Sequence, residues 1–161
     1  MNRDVVIDTH IFESILEEYN SRDEFAQLSL QLMRQHIAYE INKVIKYRGE
    51  YGYVVVSSLA IIEIANQFRY ICDNNSNIDY TKFRAFVNQP PSWLLIEPIS
   101  IDVISLLNML DTHVLLKGEL KPIEINDAIH VATTLIRNDE AVLATNDARI
   151  SLLPILKNRT L

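Results

Sequence analysis

The sequence predicts an α/β domain with a mainly parallel sheet, on three observations. Short apolar runs alternate with stretches of helical spacing, in the order β-α-β-α-β-α-α-β. Two of those runs, Val5-Val6-Ile7 and Ala141-Val142-Leu143-Ala144, lead into aspartates, Asp8 and Asp147. The chain has 161 residues, 48% of them hydrophobic, with only 3 Gly and 5 Pro, which suits one packed domain over 1–161.

The first strand is expected over residues 4–8. Thr9 to Tyr19 carries Ile11, Phe12, Ile15 and Leu16 at helical spacing, with Thr9 as a candidate N-cap and Asn20-Ser21-Arg22 as a break. A helical pattern from Asp23 to about Tyr47, with a stripe of Phe25, Leu28, Leu32, Tyr39 and Val44, fills the segment of about 20–50 between the first and second strands. Gly49 and Gly52 mark a turn, and Tyr53-Val54-Val55-Val56 is the clearest strand. Ser57 or Ser58 then caps a helix bearing Leu59, Ile62, Ala65, Phe68 and Ile71, with Glu63 in its early turns. A polar loop over 73–77 leads to a short helix from Tyr80 to Val87, stopped before Pro90-Pro91.

Trp93-Leu94-Leu95-Ile96 is a third strand. Ser100 caps a helix with Ile101, Ile104, Leu107, Leu110 and Val114, for which Lys117-Gly118 reads as the C-terminal signal. Asn126 is a cap for the next helix, with Asp127 in the first turn, where the helix dipole favours a carboxylate. The next strand covers 141–147, and Pro154-Ile155-Leu156 is a weak edge strand.

Composition narrows the function classes. The net charge of −6 argues against a nucleic-acid binder that works by bulk positive charge. It is compatible with an acidic site loaded with metal: two Mg²⁺ would bring the total to about −2 and concentrate positive charge where a phosphate would sit. The apolar runs are too short to span a bilayer, and Met1-Asn2-Arg3-Asp4 carries no secretory hydrophobic region. With one cysteine, Cys72, there is no internal disulfide framework and no Cys-rich metal site, and a cytoplasmic protein is expected.

Four carboxylates share a location. Asp8 and Asp147 end apolar runs, and Glu63 and Asp127 lie near the starts of helices. In an open parallel sheet these positions fall on the carboxyl edge, where ligands bind. Four anions in one cleft repel one another, and hard divalent cations such as Mg²⁺ or Mn²⁺, which prefer oxygen ligands, resolve the repulsion. Such a cation can clamp a phosphate oxygen and sharpen a water for in-line attack.

The segments Val-Ile-Asp8-Thr9, Ser58-Leu-Ala-Ile-Ile-Glu63, Asn126-Asp127-Ala-Ile-His130-Val-Ala-Thr and Ala-Thr145-Asn146-Asp147 resemble the PIN domain, closest to prokaryotic nucleases of the VapC-toxin type. The likeness runs from residue 5 to about 150. It implies a three-layer fold with sheet order 3-2-1-4-5 and helices on both faces. It also implies a Mg²⁺- or Mn²⁺-dependent endoribonuclease that hydrolyses RNA phosphodiester bonds with a metal-activated water. Asp8, Asp127 and Asp147 would be metal ligands, and Glu63 a ligand or water-positioning group. Thr145 would support the metal site, with Thr9 and Asn146 beside it. The implied partners are an RNA substrate and, for a toxin, an antitoxin protein. A homodimer is suggested by the likeness and by surplus apolar helix surface. His10 departs from the small or amide residue that many members carry there.

Each residue has a plainer role to set against this. An Asp after a strand commonly caps the next helix, Glu63 alone suits an ion pair, and Asp127 alone suits a helix dipole. His130, three residues after Asp127, and His10 are read as packing residues rather than site residues. A non-catalytic PIN-like module that binds RNA or protein is the alternative function. An aspartate-phosphorylated domain fits less well, because Asp8-Thr9-His10 lacks a second Asp two residues on.

Overall fold

The structure, a computed structural model, describes residues 3–21, 33, 35, 37, 39, 40, 51–70 and 79–161. Four strands form one parallel sheet: β1 (Arg3–Ile7), β2 (Tyr51–Ser57), β3 (Leu94–Glu97) and β6 (Val142–Ala144), in the order β3-β2-β1-β6. A separate antiparallel hairpin pairs β4 (His113–Leu116) with β5 (Glu119–Pro122). Among the described residues, the helices with a continuous range are α1 (Thr9–Ser21), α2 (Ser58–Tyr70), α3 (Tyr80–Asn88), α4 (Ile101–Leu107), α5 (Ile125–Arg137) and α6 (Ala148–Ser151). No described helix is long and apolar enough to cross a membrane.

Strand periodicity sorts the core into two halves. Val5, Ile7, Val54, Val56, Leu94, Val142 and Ala144 pack on one side with Ile11, Phe12, Ile15 and Leu16 of α1, Ala60 and Ile64 of α2, and Phe83 and Phe86 of α3. Val6, Val55 and Leu143 pack on the other with Val103 of α4, Ala128, Ile129, Val131 and Ala132 of α5, and Ile150 of α6. Both faces of the sheet are covered, so the strands are apolar without alternation, as expected for buried parallel strands. The result is helices, sheet and helices in three layers.

Several expected boundaries move. Asp8, not Thr9, caps α1: Asp8 Oδ1 accepts from Ile11 N at 2.9 Å, and its carbonyl accepts from Phe12 N at 3.1 Å. The helix continues through Asn20 and Ser21. In the next segment Met33 and Ile37 are helical and fully buried, whereas Tyr39 is 77% exposed, so the stripe has a different phase there. Phe25, Leu28, Leu32, Val44, Gly49, Cys72 and the loop 73–77 lie outside the described residues. Gly52 lies inside β2, beside an irregularity in the β1–β2 register, which suits a residue with no side chain to pack. In α2 it is Ser57 that caps, accepting from Leu59 N at 3.1 Å, and Ile64 rather than Ile62 faces the core. Strand β3 is shifted by one residue, to Leu94–Glu97.

The largest change is after Ser100. Its hydroxyl caps α4 as expected, accepting from Val103 N at 3.3 Å, but the helix ends at Leu107. Lys117 and Gly118, at φ 52° and 82°, form the two-residue turn of the hairpin rather than a helix terminus. Positive φ at both central residues matches the twist of the flanking strands. Glu124 occupies the cap position of α5, and Asn126 is inside the helix. Strand β6 stops at Ala144, so Asp147 stands three residues beyond it, as the N-cap of α6. Residues Pro154–Leu156 form a 3-10 turn, and a single parallel bridge, Leu143↔Thr160, stands at the outer edge of β6.

At the opposite end of the sheet, Arg137 at the close of α5 donates to Asp4 Oδ2 at 2.7 Å, and Tyr53 N donates to Asp4 Oδ1 at 2.9 Å. Asp4 is 6% exposed. Arg137→Ala leaves this carboxylate short of its charged partner, and a loss of about 1–3 kcal/mol in unfolding free energy is expected from urea titration.

Candidate functional site

All four sheet strands are parallel, so their carboxyl ends share one edge. Helix α5 runs antiparallel to the strands, from Asp127 in its first turn to Arg137 beside Asp4, and so begins at that edge. This arrangement places Glu63 in one group and Asp127 with Asp147 in another, while Asp8 caps α1 and, among the described residues, makes no side-chain bond to either group.

The first group centres on Glu63. Thr9 Oγ1 donates to Glu63 Oε2, and Asn126 Nδ2 donates to Glu63 Oε1 at 2.5 Å. Thr9 Oγ1 also lies 3.1 Å from Nε2 of His130. The threonine proton is committed to the carboxylate, so His130 Nε2 carries the hydrogen and donates to Thr9. His130 is 2% exposed, and its Nδ1 has no hydrogen-bond partner. A neutral ring with an acceptor lone pair at Nδ1 leaves no buried N–H unsatisfied there. Burial holds the His130 pKa below its ordinary 6.5, against the opposing pull of the Asp8 and Glu63 carboxylates. The sequence reading of His130 as a packing residue thus covers half of its role, because its Nε2 also anchors Thr9.

The second group is Asp127 and Asp147, joined by Arg149. Arg149 Nε lies 3.0 and 3.1 Å from the two oxygens of Asp147, and Nη2 lies 2.5 Å from Asp147 Oδ2 and 3.1 Å from Asp127 Oδ2. Desolvation and then the Asp147 charge raise the Asp127 pKa above 3.8, with Arg149 opposing and Asp8 adding to the rise. The Asp147 pKa is lowered, chiefly by the Arg149 side-chain hydrogen bonds. The charge of Asp8 therefore reaches both groups, being felt by Asp127 and by His130.

The other two supporting residues, Thr145 and Asn146, bond backbone groups. Thr145, 3% exposed, accepts from Asp147 N at 3.1 Å and shapes the turn that presents Asp147. Asn146 Nδ2 donates to the Glu40 carbonyl at 2.5 Å. His10 is exposed. Arg149 and Asn126 were not singled out as site residues from the sequence. An arginine two residues past an acidic cap was the available signal for Arg149.

The donor set is chemically suited to a hard divalent cation, since it consists of carboxylate oxygens with hydroxyl and amide groups behind them. Its geometry is occupied otherwise: a guanidinium already sits on Asp127 and Asp147. Among the described residues, no three His, Cys, Asp or Glu side chains converge in a metal-holding arrangement. No protein-family model, curated protein or solved structure matches this chain.

Proposed function

We propose that this protein is a divalent-metal-dependent endoribonuclease of the PIN type, with Mg²⁺ or Mn²⁺ as its cation. What supports the reading is that Asp8, Glu63, Asp127 and Asp147 all follow the carboxyl ends of the parallel strands or open the helices at that edge, with Asp127 and Asp147 bridged by Arg149 and Glu63 held by Thr9 and Asn126. Asp127, its pKa raised by burial and then by the Asp147 charge, stands beside an Asp147 whose pKa Arg149 lowers, and such a perturbed acidic pair marks a candidate site. The sheet order β3-β2-β1-β6, with a single bridge beyond β6, supports the 3-2-1-4-5 arrangement that the PIN resemblance implies.

In this reading Asp8, Asp127 and Asp147 hold the cation. When bound it supplies charge for a phosphate oxygen and lowers the pKa of water. Glu63 orients the attacking water. Each of its oxygens already accepts one hydrogen bond, from Asn126 or Thr9, and each keeps a further lone pair. Thr9 fixes the Glu63 rotamer, and His130 fixes Thr9. Without a cation the acidic side chains would repel a phosphodiester, and a bound cation would offset that repulsion.

An antitoxin partner, a homodimer and a cytoplasmic setting belong to the same proposal. Exposed Ile101, Met109, Leu115 and Leu120 offer apolar surface for protein contacts. A non-catalytic PIN-like module that binds RNA or protein is the second reading. The Arg149 bridge favours it, because that bridge neutralises the acidic pair without any cation.

The test is RNA cleavage by the purified protein with Mg²⁺ or Mn²⁺ and with excess EDTA. Cleavage is expected with either metal and none under chelation. Cleavage that persists in EDTA sinks the metal-dependent reading. An absence of cleavage across mixed RNA substrates, with retained RNA or protein binding, favours the module.

A further inference from the structure

We infer that Arg149 is a displaceable internal counter-ion, which holds Asp127 and Asp147 together in the metal-free protein and competes with a divalent cation for them. This deepens the metal-dependent reading above and rests on it. Arg149 engages both oxygens of Asp147 and Oδ2 of Asp127, with contacts of 2.5 to 3.1 Å. Its backbone N also donates to Asp147 Oδ1 at 2.8 Å. The guanidinium thus takes up three of the four carboxylate oxygens of the pair, leaving Asp127 Oδ1 as the one it does not touch.

A divalent cation and a guanidinium on the same two carboxylates repel each other, and neither screens the other at hydrogen-bond distance. Their occupancies therefore oppose one another. Exchange is open to solvent, since the side chains of Arg149, Asp127 and Asp147 are 27%, 24% and 25% exposed. Arg149 also has a contact to keep after release: Nη1 donates to the Pro122 carbonyl at 3.0 Å, at the end of β5. The side chain has a second anchor on the rim of the cleft, so releasing the carboxylates does not require it to lose every partner.

The exchange has a thermodynamic signature. Removing the guanidinium removes a competitor, and by linkage cation affinity rises by the coupling between the two. Isothermal titration of Mn²⁺ into wild type, Arg149→Met and Arg149→Lys measures it, with circular dichroism melts to confirm folding. Arg149→Met keeps the apolar stem and is expected to bind Mn²⁺ about 5- to 100-fold more tightly than wild type. Arg149→Lys keeps the charge without the planar fork and is expected to fall between. Binding seen in Arg149→Met but too weak to detect in wild type also supports the exchange. If Arg149→Met does not fold, Arg149→Lys carries the comparison. Equal or weaker binding in the folded variants, with wild type binding, overturns the exchange and leaves the metal-dependent reading standing. No binding by wild type or any variant at millimolar Mn²⁺ removes both.

Discussion

Asp8→Asn is expected to lower metal-dependent RNA cleavage by at least about 100-fold while leaving the melting temperature nearly unchanged. The two halves of this expectation come from two uses of one side chain. Asp8 Oδ1 caps α1 by accepting from Ile11 N at 2.9 Å. Asparagine caps a helix about as well as aspartate, so the substitution keeps that hydrogen bond. It removes the negative charge that reaches Asp127 and His130 and that a cation would need. A residue that only capped would lose almost nothing on this change. Parallel measurements of cleavage and thermal melting therefore separate the two roles. Full activity in Asp8→Asn would reduce Asp8 to a cap and remove it from the proposed ligand set.

The second large effect is on stability against pH. Unfolding free energy is expected to fall as pH drops below about 6.5, with His130 contributing up to about 1.4 kcal/mol per pH unit. Burial lowers the His130 pKa in the folded protein, while the unfolded chain titrates near 6.5. Above that value neither state binds the proton. Below it the unfolded state takes it up first, so stability is lost until the folded pKa is passed. Asp8 and Glu63 face the ring and oppose the shift without reversing it. Asp147, with its pKa lowered from 3.8, loses its contribution at more acidic pH, and Asp127, with its pKa raised, acts in the opposite sense. Urea titrations of wild type and His130→Gln between pH 7 and 5 isolate the histidine. Glutamine can still donate to Thr9 but cannot take the proton. Identical pH slopes for the two proteins would show that His130 is not the group responsible.

Much of the sheet and its acidic edge was legible from the sequence because buried parallel strands are written as unbroken apolar runs. Val5-Val6-Ile7 and Val54-Val55-Val56 needed no tertiary information. Asp8 and Glu63 followed from position, since each stands just after a strand or in the helix behind it. The hairpin was hidden because His113–Leu116 is only four residues long and continues the apolar spacing of α4. Glycine after Lys117 serves a helix terminus and a tight turn equally well, and only the partner strand decides between them. Asp147 was misplaced as a strand end because the run to Ala144 passes through Thr145 and Asn146, whose side chains bond the Asp147 N–H and the Glu40 carbonyl instead. The Arg149 bridge was not legible because its second carboxylate, Asp127, is distant along the chain and near only in the fold. His130 was legible as buried, but its bond to Thr9 was not, for the same reason.

The tail has a bearing on the distance between the two aspartates. Arg159 fans out over the carbonyls of Thr134, Asn138 and Ala141, at 2.8, 2.5 and 2.9 Å, while its own carbonyl accepts from Leu143 N at 2.7 Å and Leu161 N donates to the Leu143 carbonyl at 2.9 Å. Those carbonyls lie at the far end of α5 and in the loop that feeds β6. One side chain thus ties the end of the helix to the loop that enters the strand. Asp127 rides the top of that helix and Asp147 the loop above that strand. The spacing of the pair, and with it what fits between them, is set from the foot of the domain as much as from the cleft itself.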